Sequence, residues 1–369
     1  MSCTAAVLLQ LVLLWSIGED KRWDRADAYS VSSFTSKRRI SGHKGSSVEF
    51  GRQGIAGMSA ALSLGRSLRH VLVVDAQKPC NRNSKQSNNL LGFDGVAPSH
   101  IASTSRKNVE KYETVKFWDG AVVQQVRKKH NGNFAAKVST KLQPYSSEPV
   151  IVSCRKVIIA TGVTDVLPSS VTGLQECWGK SVIHCPYCHG YEYRHKATAL
   201  WISSPTQLWQ MVPIIRTMTE QLCVVGWNEY ETTGMEGASW KQQLESRNIT
   251  VYQEPVTEIL HQDGCMTSLR LRDGEELPMD ALYIRPLLQQ NFPVQLEWGK
   301  ETLSILLDDK RYVHVDAETQ KTSVDGIMAC GDCTTANRAL SIAIASGTRA
   351  AKMLNYELCI DCEDWGGLI

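Results

Sequence analysis

Gly54-Ile55-Ala56-Gly57-Met58-Ser59-Ala60-Ala61-Leu62-Ser63-Leu64-Gly65 is followed shortly by Val71-Leu72-Val73-Val74-Asp75. Glycines leading into small and apolar residues at helical spacing predict a turn and then a helix, and the apolar run predicts a buried strand that ends in an acid. A glycine turn, a helix and a strand ending in Asp about twenty residues on form a dinucleotide-binding unit. In such a unit the helix N-terminus faces a pyrophosphate and the acid accepts hydrogen bonds from ribose hydroxyls. The candidate binding residues here are Gly54, Ile55, Ala56, Gly57 and Asp75.

Upstream the pattern has a defect. The usual spacing would put a glycine at position 52, where this chain has Arg52, and Ser46 to Phe50 make a weak first strand. The first glycine serves to turn the chain tightly without a Cβ. Two readings stay open: Arg52 disturbs the phosphate-binding turn, or the segment before about Gly54 is not the one with which this domain began, as a misplaced exon boundary would leave it.

Two further segments carry the same logic. Val157-Ile158-Ile159-Ala160-Thr161-Gly162 is an apolar strand stopping at small residues, an ending that lets a ligand approach backbone closely. Gly326-Ile327-Met328-Ala329-Cys330-Gly331-Asp332 is a second short buried strand, expected to lead into a helix from about Arg338 to Leu354. Ala160, Thr161, Gly162 and Asp332 join the candidates, and one ligand held from both ends of the chain fits all three segments. Asn88-Asn89-Leu90-Leu91-Gly92-Phe93-Asp94-Gly95 reads as a loop of turn residues.

Between these segments lies His184-Cys185-Pro186-Tyr187-Cys188-His189-Gly190-Tyr191-Glu192. Cysteines two residues apart can close and reopen a small disulfide, and the flanking His184 and His189 can supply positive charge or move protons. The alternative is half of a zinc site, which needs a second ligand pair. Cys330/Cys333 lies in a segment better explained by the nucleotide, and Cys359/Cys362 lies in a terminal stretch. Redox chemistry is therefore the preferred reading, and no metal is expected.

The chain has 369 residues, 43% hydrophobic and 21% charged, enough for two domains with full cores in an ordinary soluble enzyme. A formal net charge of +2, with no run of Lys or Arg beyond three, marks neither a nucleic-acid nor a membrane partner. The twelve cysteines are too irregular for a disulfide scaffold; Cys154, Cys223 and Cys265 sit singly in apolar runs and read as buried thiols of a reducing, cytoplasmic compartment. Ala5 to Ile17 has the length of a signal-peptide core but no preceding basic residue, which leaves secretion as the minor reading, and it is too short to span a bilayer. Trp201, Trp209 and Trp227 read as core residues before cavity lining.

In order and spacing, Gly54-Ile55-Ala56-Gly57, Asp75, Ala160-Thr161-Gly162, Cys185-Pro186-Tyr187-Cys188 and Gly331-Asp332-Cys333 resemble the low-molecular-weight thioredoxin reductase family over roughly residues 50 to 355. The resemblance implies an α/β fold of two Rossmann-like three-layer nucleotide-binding domains, with the second inserted into a discontinuous FAD domain. By likeness, residues 46–163 and 286–358 would be the FAD domain and 164–285 the inserted domain with the Cys pair; residues 1–45 read as a leader or extension, disordered or artefactual, and 359–369 as a tail. It further implies FAD as cofactor, Ala339 and Leu340 beside Asp332 in its binding, and a homodimer.

The departure from the family lies after the Cys pair, where a thioredoxin reductase has a second glycine-rich turn and a basic pair for NADPH. From Gly190 to Gly226 there is no glycine; the strand Thr198 to Ile202 runs into Ser203-Ser204-Pro205-Thr206-Gln207, and Gly226-Trp227-Asn228-Glu229-Tyr230 follows the next strand. Side chains and a proline stand where backbone should meet a pyrophosphate, and no arginines pair a phosphate. NADPH is not expected to bind.

A flavin and a Cys pair without a pyridine-nucleotide site are similar to the fungal dithiol oxidases of the gliotoxin type, which close the disulfide of epidithiodiketopiperazines and whose Cys centre is likewise followed by His-Gly-Tyr-Glu. This resemblance implies a small-molecule dithiol substrate and O2 as acceptor, with Cys185 substrate-facing and Cys188 against the flavin. The rival expectations are an NADPH-dependent thioredoxin reductase and a non-catalytic relic that fails to hold FAD.

Overall fold

The computed structural model describes residues 11–15, 54–140, 149–201, 205–226, 239–291, 295–298 and 301–362. The chain divides into two compact units: Met1–Pro79, Ser99–Val163 and Gln290–Ile369 form the first, Cys80–Pro98 and Thr164–Gln289 the second. The first unit is thus discontinuous in sequence.

Its central sheet has five strands in the order Ile327–Ala329, Lys156–Ile159, Leu11–Trp15, His70–Asp75, Val115–Asp119. Alternation along each strand sends side chains to two different cores. Val71, Val73, Ile158 and Met328 pack on the side of helices Ile55–Arg66 and Leu340–Cys362, together with Ala60, Leu64, Ala343 and Leu354. Val74, Val157, Ile159 and Ile327 pack on the other side with Val123, Phe134 and Val152 of a three-stranded antiparallel layer, Ala121–Lys128, Phe134–Thr140 and Val150–Cys154. Small residues let these elements close on one another: a Cβ on Gly347 of the last helix would run into the Ala56 carbonyl, and one on Gly331, in the turn after Ile327–Ala329, would lie 2.8 Å from the Ala56 Cβ.

Leu11–Trp15 departs from the expected leader. This segment occupies the middle of the sheet and runs antiparallel to both neighbours, Leu11 opposite Val74 and Ile159, Trp15 opposite His70. The other sheet pairings, His70–Asp75 with Val115–Asp119 and Ile327–Ala329 with Lys156–Ile159, are parallel. An apolar β-forming pentad satisfies the open ladder between two buried strands, where unpaired backbone groups would be expensive. Its direction is opposite to that of a strand that would deliver the chain into Gly54. Arg52 and the expected strand Ser46 to Phe50 lie outside the described residues.

The second unit has a parallel sheet in the order Thr250–Val251, Leu222–Val225, Thr198–Trp201, Ala281–Ile284, Val182–Ile183. Leu200, Val224, Tyr283 and Ile183 point toward helix Pro205–Arg216 and its Leu208, Met211 and Ile215. Ala199, Trp201, Val225, Leu282 and Ile284 point the other way, onto the antiparallel sheet Val256–Gln262, Cys265–Leu271, Glu276–Pro278.

Three sequence expectations change. Residues 80–98, read with the FAD domain, belong to the second unit, because side chains of this loop bond to the redox turn described below. The last helix runs Leu340–Cys362, past Leu354 and into the stretch read as a tail, because Leu354 and Leu358 continue its buried face. Cys265 is exposed while Cys154 and Cys223 are buried; it opens a strand on whose outward face it lies. Among the described residues no helix is long and apolar enough to cross a membrane.

Candidate redox and cofactor sites

In the second unit, strand Val182–Ile183 delivers the chain through His184 to the one-turn helix Pro186–His189. Cys185 stands just before that helix in extended backbone, and Pro186 occupies its first position, where a fixed φ helps and the missing N–H is not needed. The Cys185 carbonyl accepts from the N–H groups of both Cys188 and His189, each at 3.2 Å. This brings the two Cα atoms to 5.3 Å, and the cysteines form a disulfide. Both are part-exposed, beside the exposed rings of Tyr187 and Tyr191.

The two histidines differ. His184 stacks on Trp178, ring centroids 5.7 Å apart. His189 follows Cys188 directly; burial pushes its pKa below the ordinary histidine value, and the nearby Glu192 carboxylate partly opposes that shift. A neutral imidazole next to a thiol is suited to accept its proton.

Gly190 ends the redox helix at φ −68°, so it is needed for space and not for conformation. A Cβ there would run into the Pro186 carbonyl and the Met218 sulfur and lie 2.8 Å from the Tyr283 hydroxyl. Because one obstacle is the backbone of the redox turn itself, Gly190→Ala is expected to destabilise the second unit by about 1–3 kcal/mol, as overpacking does. Chemical denaturation would read this, and wild-type stability would contradict it.

In the first unit the candidate cofactor residues converge at one end of the sheet. Asp75 ends its strand 3% exposed, with Oδ1 accepting from the Gln77 N–H at 2.8 Å and Oδ2 buried without a partner among the described residues. Burial, reinforced by Asp119, pushes its pKa up to about 7 against the lowering effect of the Gln77 N–H and of Arg106. A buried, half-satisfied carboxylate at a strand's carboxyl end suits ribose hydroxyls. Arg106 in turn holds Asp119 through two bonds of 2.8 and 3.0 Å.

Gly54 precedes helix Ile55–Arg66 with no side-chain cap, which leaves its first N–H groups to backbone or ligand; Ala56 and Gly57 are buried in its first turn. Ala160 and Thr161 follow strand Lys156–Ile159 and are nearly buried. Gly162 adopts φ +63° with open space where a Cβ would point. Asp332 lies in the turn after Ile327–Ala329 and accepts from Arg338 Nε at 3.3 Å, a partner the sequence reading missed. Ala339 and Leu340 open the last helix, where the Ala339 carbonyl takes the Ala343 N–H. The orphaned Asp75 oxygen, the open Gly162 and the uncapped helix fit a dinucleotide such as FAD.

The remaining candidates fall elsewhere. Cys330 and Cys333 are fully buried free thiols whose pKa values burial raises. Cys359, on the last helix, accepts from Arg69 Nη2 at 3.0 Å. Among the described residues no cluster of His, Cys, Asp or Glu could hold a metal ion. Trp209, read as core, is instead exposed at 38% on helix Pro205–Arg216, and Trp227 lies outside the described residues.

Trp201 ends strand Thr198–Trp201 at 5% exposure. A Cβ on Gly226, which follows the adjacent strand at φ +71°, would lie 2.8 Å from its Nε1. The indole therefore lies against the carboxyl ends of two adjacent parallel strands, the place where an open α/β sheet receives its ligand. Its buried N–H has no partner among the described residues.

No protein-family model matches the chain. It is 26% identical over 324 residues to the thioredoxin reductase tcpT of Claviceps purpurea, covering 84% of this chain and 92% of that protein. An oxidoreductase from Agrobacterium tumefaciens superposes with TM-score 0.70 at 27% identity, over 83% of this chain and 96% of that one. The thioredoxin reductase of Giardia duodenalis shares the fold, with TM-score 0.66 at 20% identity over 83% of this chain and 96% of that one. With two α/β units, the first interrupted by most of the second, and likeness along most of its length to these enzymes, the chain is similar to thioredoxin reductase-like flavoproteins and is a thiol/disulfide oxidoreductase.

Proposed function

We propose that this protein is an FAD-dependent dithiol oxidase, closing a disulfide in a small molecule of the epidithiodiketopiperazine type with O2 as the final acceptor and without NADPH. The observation that carries this reading is Trp201 against Gly226, at the strand ends where a second nucleotide would approach, in a stretch without glycine between Gly190 and Gly226. Gly54, Ile55, Ala56, Gly57, Asp75, Ala160, Thr161, Gly162, Asp332, Ala339 and Leu340 would hold the FAD.

A substrate thiolate attacks the Cys185 sulfur, breaking the bond to Cys188 and forming a mixed disulfide; Cys188 leaves as a thiolate. The substrate's second thiolate attacks its own disulfide-bonded sulfur and expels Cys185 as a thiolate. The substrate leaves as a disulfide, and its two electrons stay on the cysteine pair. His189, held neutral by burial, takes up a proton released from the substrate thiols, and His184 is the second candidate for thiolate stabilisation. When bound, FAD supplies the acceptor for that electron pair and its transfer to O2, which yields hydrogen peroxide. The protein would work in the cytoplasm as a homodimer.

The name of the Claviceps relative favours a second reading, an NADPH-dependent thioredoxin reductase. Oxygen uptake separates the two. Flavin-loaded protein given a reduced small-molecule dithiol and no NADPH is expected to consume one O2 per disulfide formed; uptake only when NADPH and a protein disulfide are supplied would contradict the proposal.

A further inference from the structure

The loop Cys80–Pro98 reaches the redox turn from a hundred residues away in sequence. The Ser87 N–H bonds the Val96 carbonyl at 2.8 Å and the Gly95 N–H the Ser87 carbonyl at 2.9 Å, closing the base of the loop, while the Asp94 carboxylate takes the Asn89 N–H at 2.7 Å. Leu90 is buried beneath it. That bracing presents Asn88, part-buried, to the cysteine pair.

The Asn88 Nδ2 donates to the Cys188 carbonyl at 2.7 Å and to Glu192 Oε1 at 3.2 Å. Gln86 Nε2 donates to the same Glu192 oxygen at 3.2 Å. The Cys188 carbonyl is one of the last in a one-turn helix and lacks a helical partner, so the amide replaces a bond the helix cannot make. Thus one side chain ties the backbone of a redox cysteine to the carboxylate beyond Gly190.

We propose that Asn88 is a positioning residue for the redox pair, a latch engaged in the disulfide state that favours closure of Cys185 on Cys188. The inference rests on the proposed redox role of that pair, whichever substrate it serves. With the Cα atoms held at 5.3 Å, inside the range a disulfide needs, the two thiols of the reduced turn stay within reach of each other. Without the latch, the turn relaxes and the disulfide becomes easier to reduce. One neutral hydrogen bond contributes about 0.5–1.5 kcal/mol, so the effect is about three- to tenfold in the thiol–disulfide equilibrium.

The test is a glutathione redox titration of the flavin-loaded full chain, quenched with an alkylating agent and read by mass spectrometry on the peptide containing Cys185 and Cys188. Asn88→Ala is expected to lower the disulfide formation constant about three- to tenfold, which corresponds to about 15–30 mV toward easier reduction. Asn88→Asp, which points an acceptor at two acceptors, is expected to lower it further. Gln86→Ala, which leaves the Cys188 carbonyl bonded, is expected to shift it less than either. Bound flavin should be unchanged in all three. A wild-type constant in both Asn88 variants overturns the latch.

If the Asn88 variants do not fold, hydrogen exchange in the wild-type loop reads the same bond. Loss of protection across residues 86–96 on reduction is expected, and equal protection in both states overturns the proposal. A wild-type pair that glutathione never reduces would contradict the redox reading itself, an outcome distinct from failure of the latch.

Discussion

Cys188→Ser protein is expected to purify yellow and to oxidise no dithiol. Serine keeps the size and the backbone bonds of residue 188, including the bond its carbonyl accepts from Asn88. It cannot form a disulfide, so the substrate thiolate has no sulfur–sulfur bond to break at Cys185 and the electron pair has no carrier. The proposed FAD residues are in the first unit and Cys188 is in the second, so flavin content should not fall. A drop of about 10³-fold or more in turnover with unchanged flavin absorbance is the expected result, the scale seen when one member of a jointly acting set is lost. Undiminished dithiol oxidation would refute the role of Cys188.

Asp75→Asn should have the second-largest effect, and it should separate the cost of a buried acid from its use. Because the folded pKa of Asp75 is raised from 3.8 to about 7, the native state keeps a proton that the unfolded state has lost. Stability of the flavin-free protein therefore falls as pH rises through the window between those two values, and the loss is complete above it. The amide removes that dependence, so the flavin-free variant should melt higher than wild type at pH 8, with the advantage fading as pH falls toward 4. FAD binding should move the other way. Losing a charged acceptor for ribose hydroxyls, about 1.5–3 kcal/mol, predicts affinity about ten- to 150-fold weaker by fluorescence titration. Unchanged FAD affinity would remove Asp75 from the site.

Much of the first unit was legible because its signals are local. The glycines and small residues of Gly54 to Gly65 have helical spacing, and Val71 to Asp75 is a short apolar run ending in an acid; both elements form, within a residue or two of where the pattern puts them. The Cys185–Cys188 disulfide was equally local, two cysteines separated by one proline-led turn.

What the sequence concealed depends on partners far along the chain. Leu11–Trp15 resembled part of a signal-peptide core because an apolar pentad has the same composition in either role; only the open ladder between His70–Asp75 and Lys156–Ile159 makes it a sheet strand. Asn88 looked like one of several turn residues, and its bond to Cys188 spans a hundred positions that no spacing rule connects. Trp201 read correctly as core, but the close approach of its indole to Gly226 depends on two parallel strands lying side by side.

The central claim, that electrons enter from a small dithiol and not from NADPH, is tested most directly by an anaerobic absorbance spectrum of the flavin-loaded protein. A reduced small-molecule dithiol is expected to bleach the flavin band, admitting air to restore it with hydrogen peroxide formed, and NADPH to leave it unchanged. Rapid bleaching by NADPH with no response to any dithiol would contradict it.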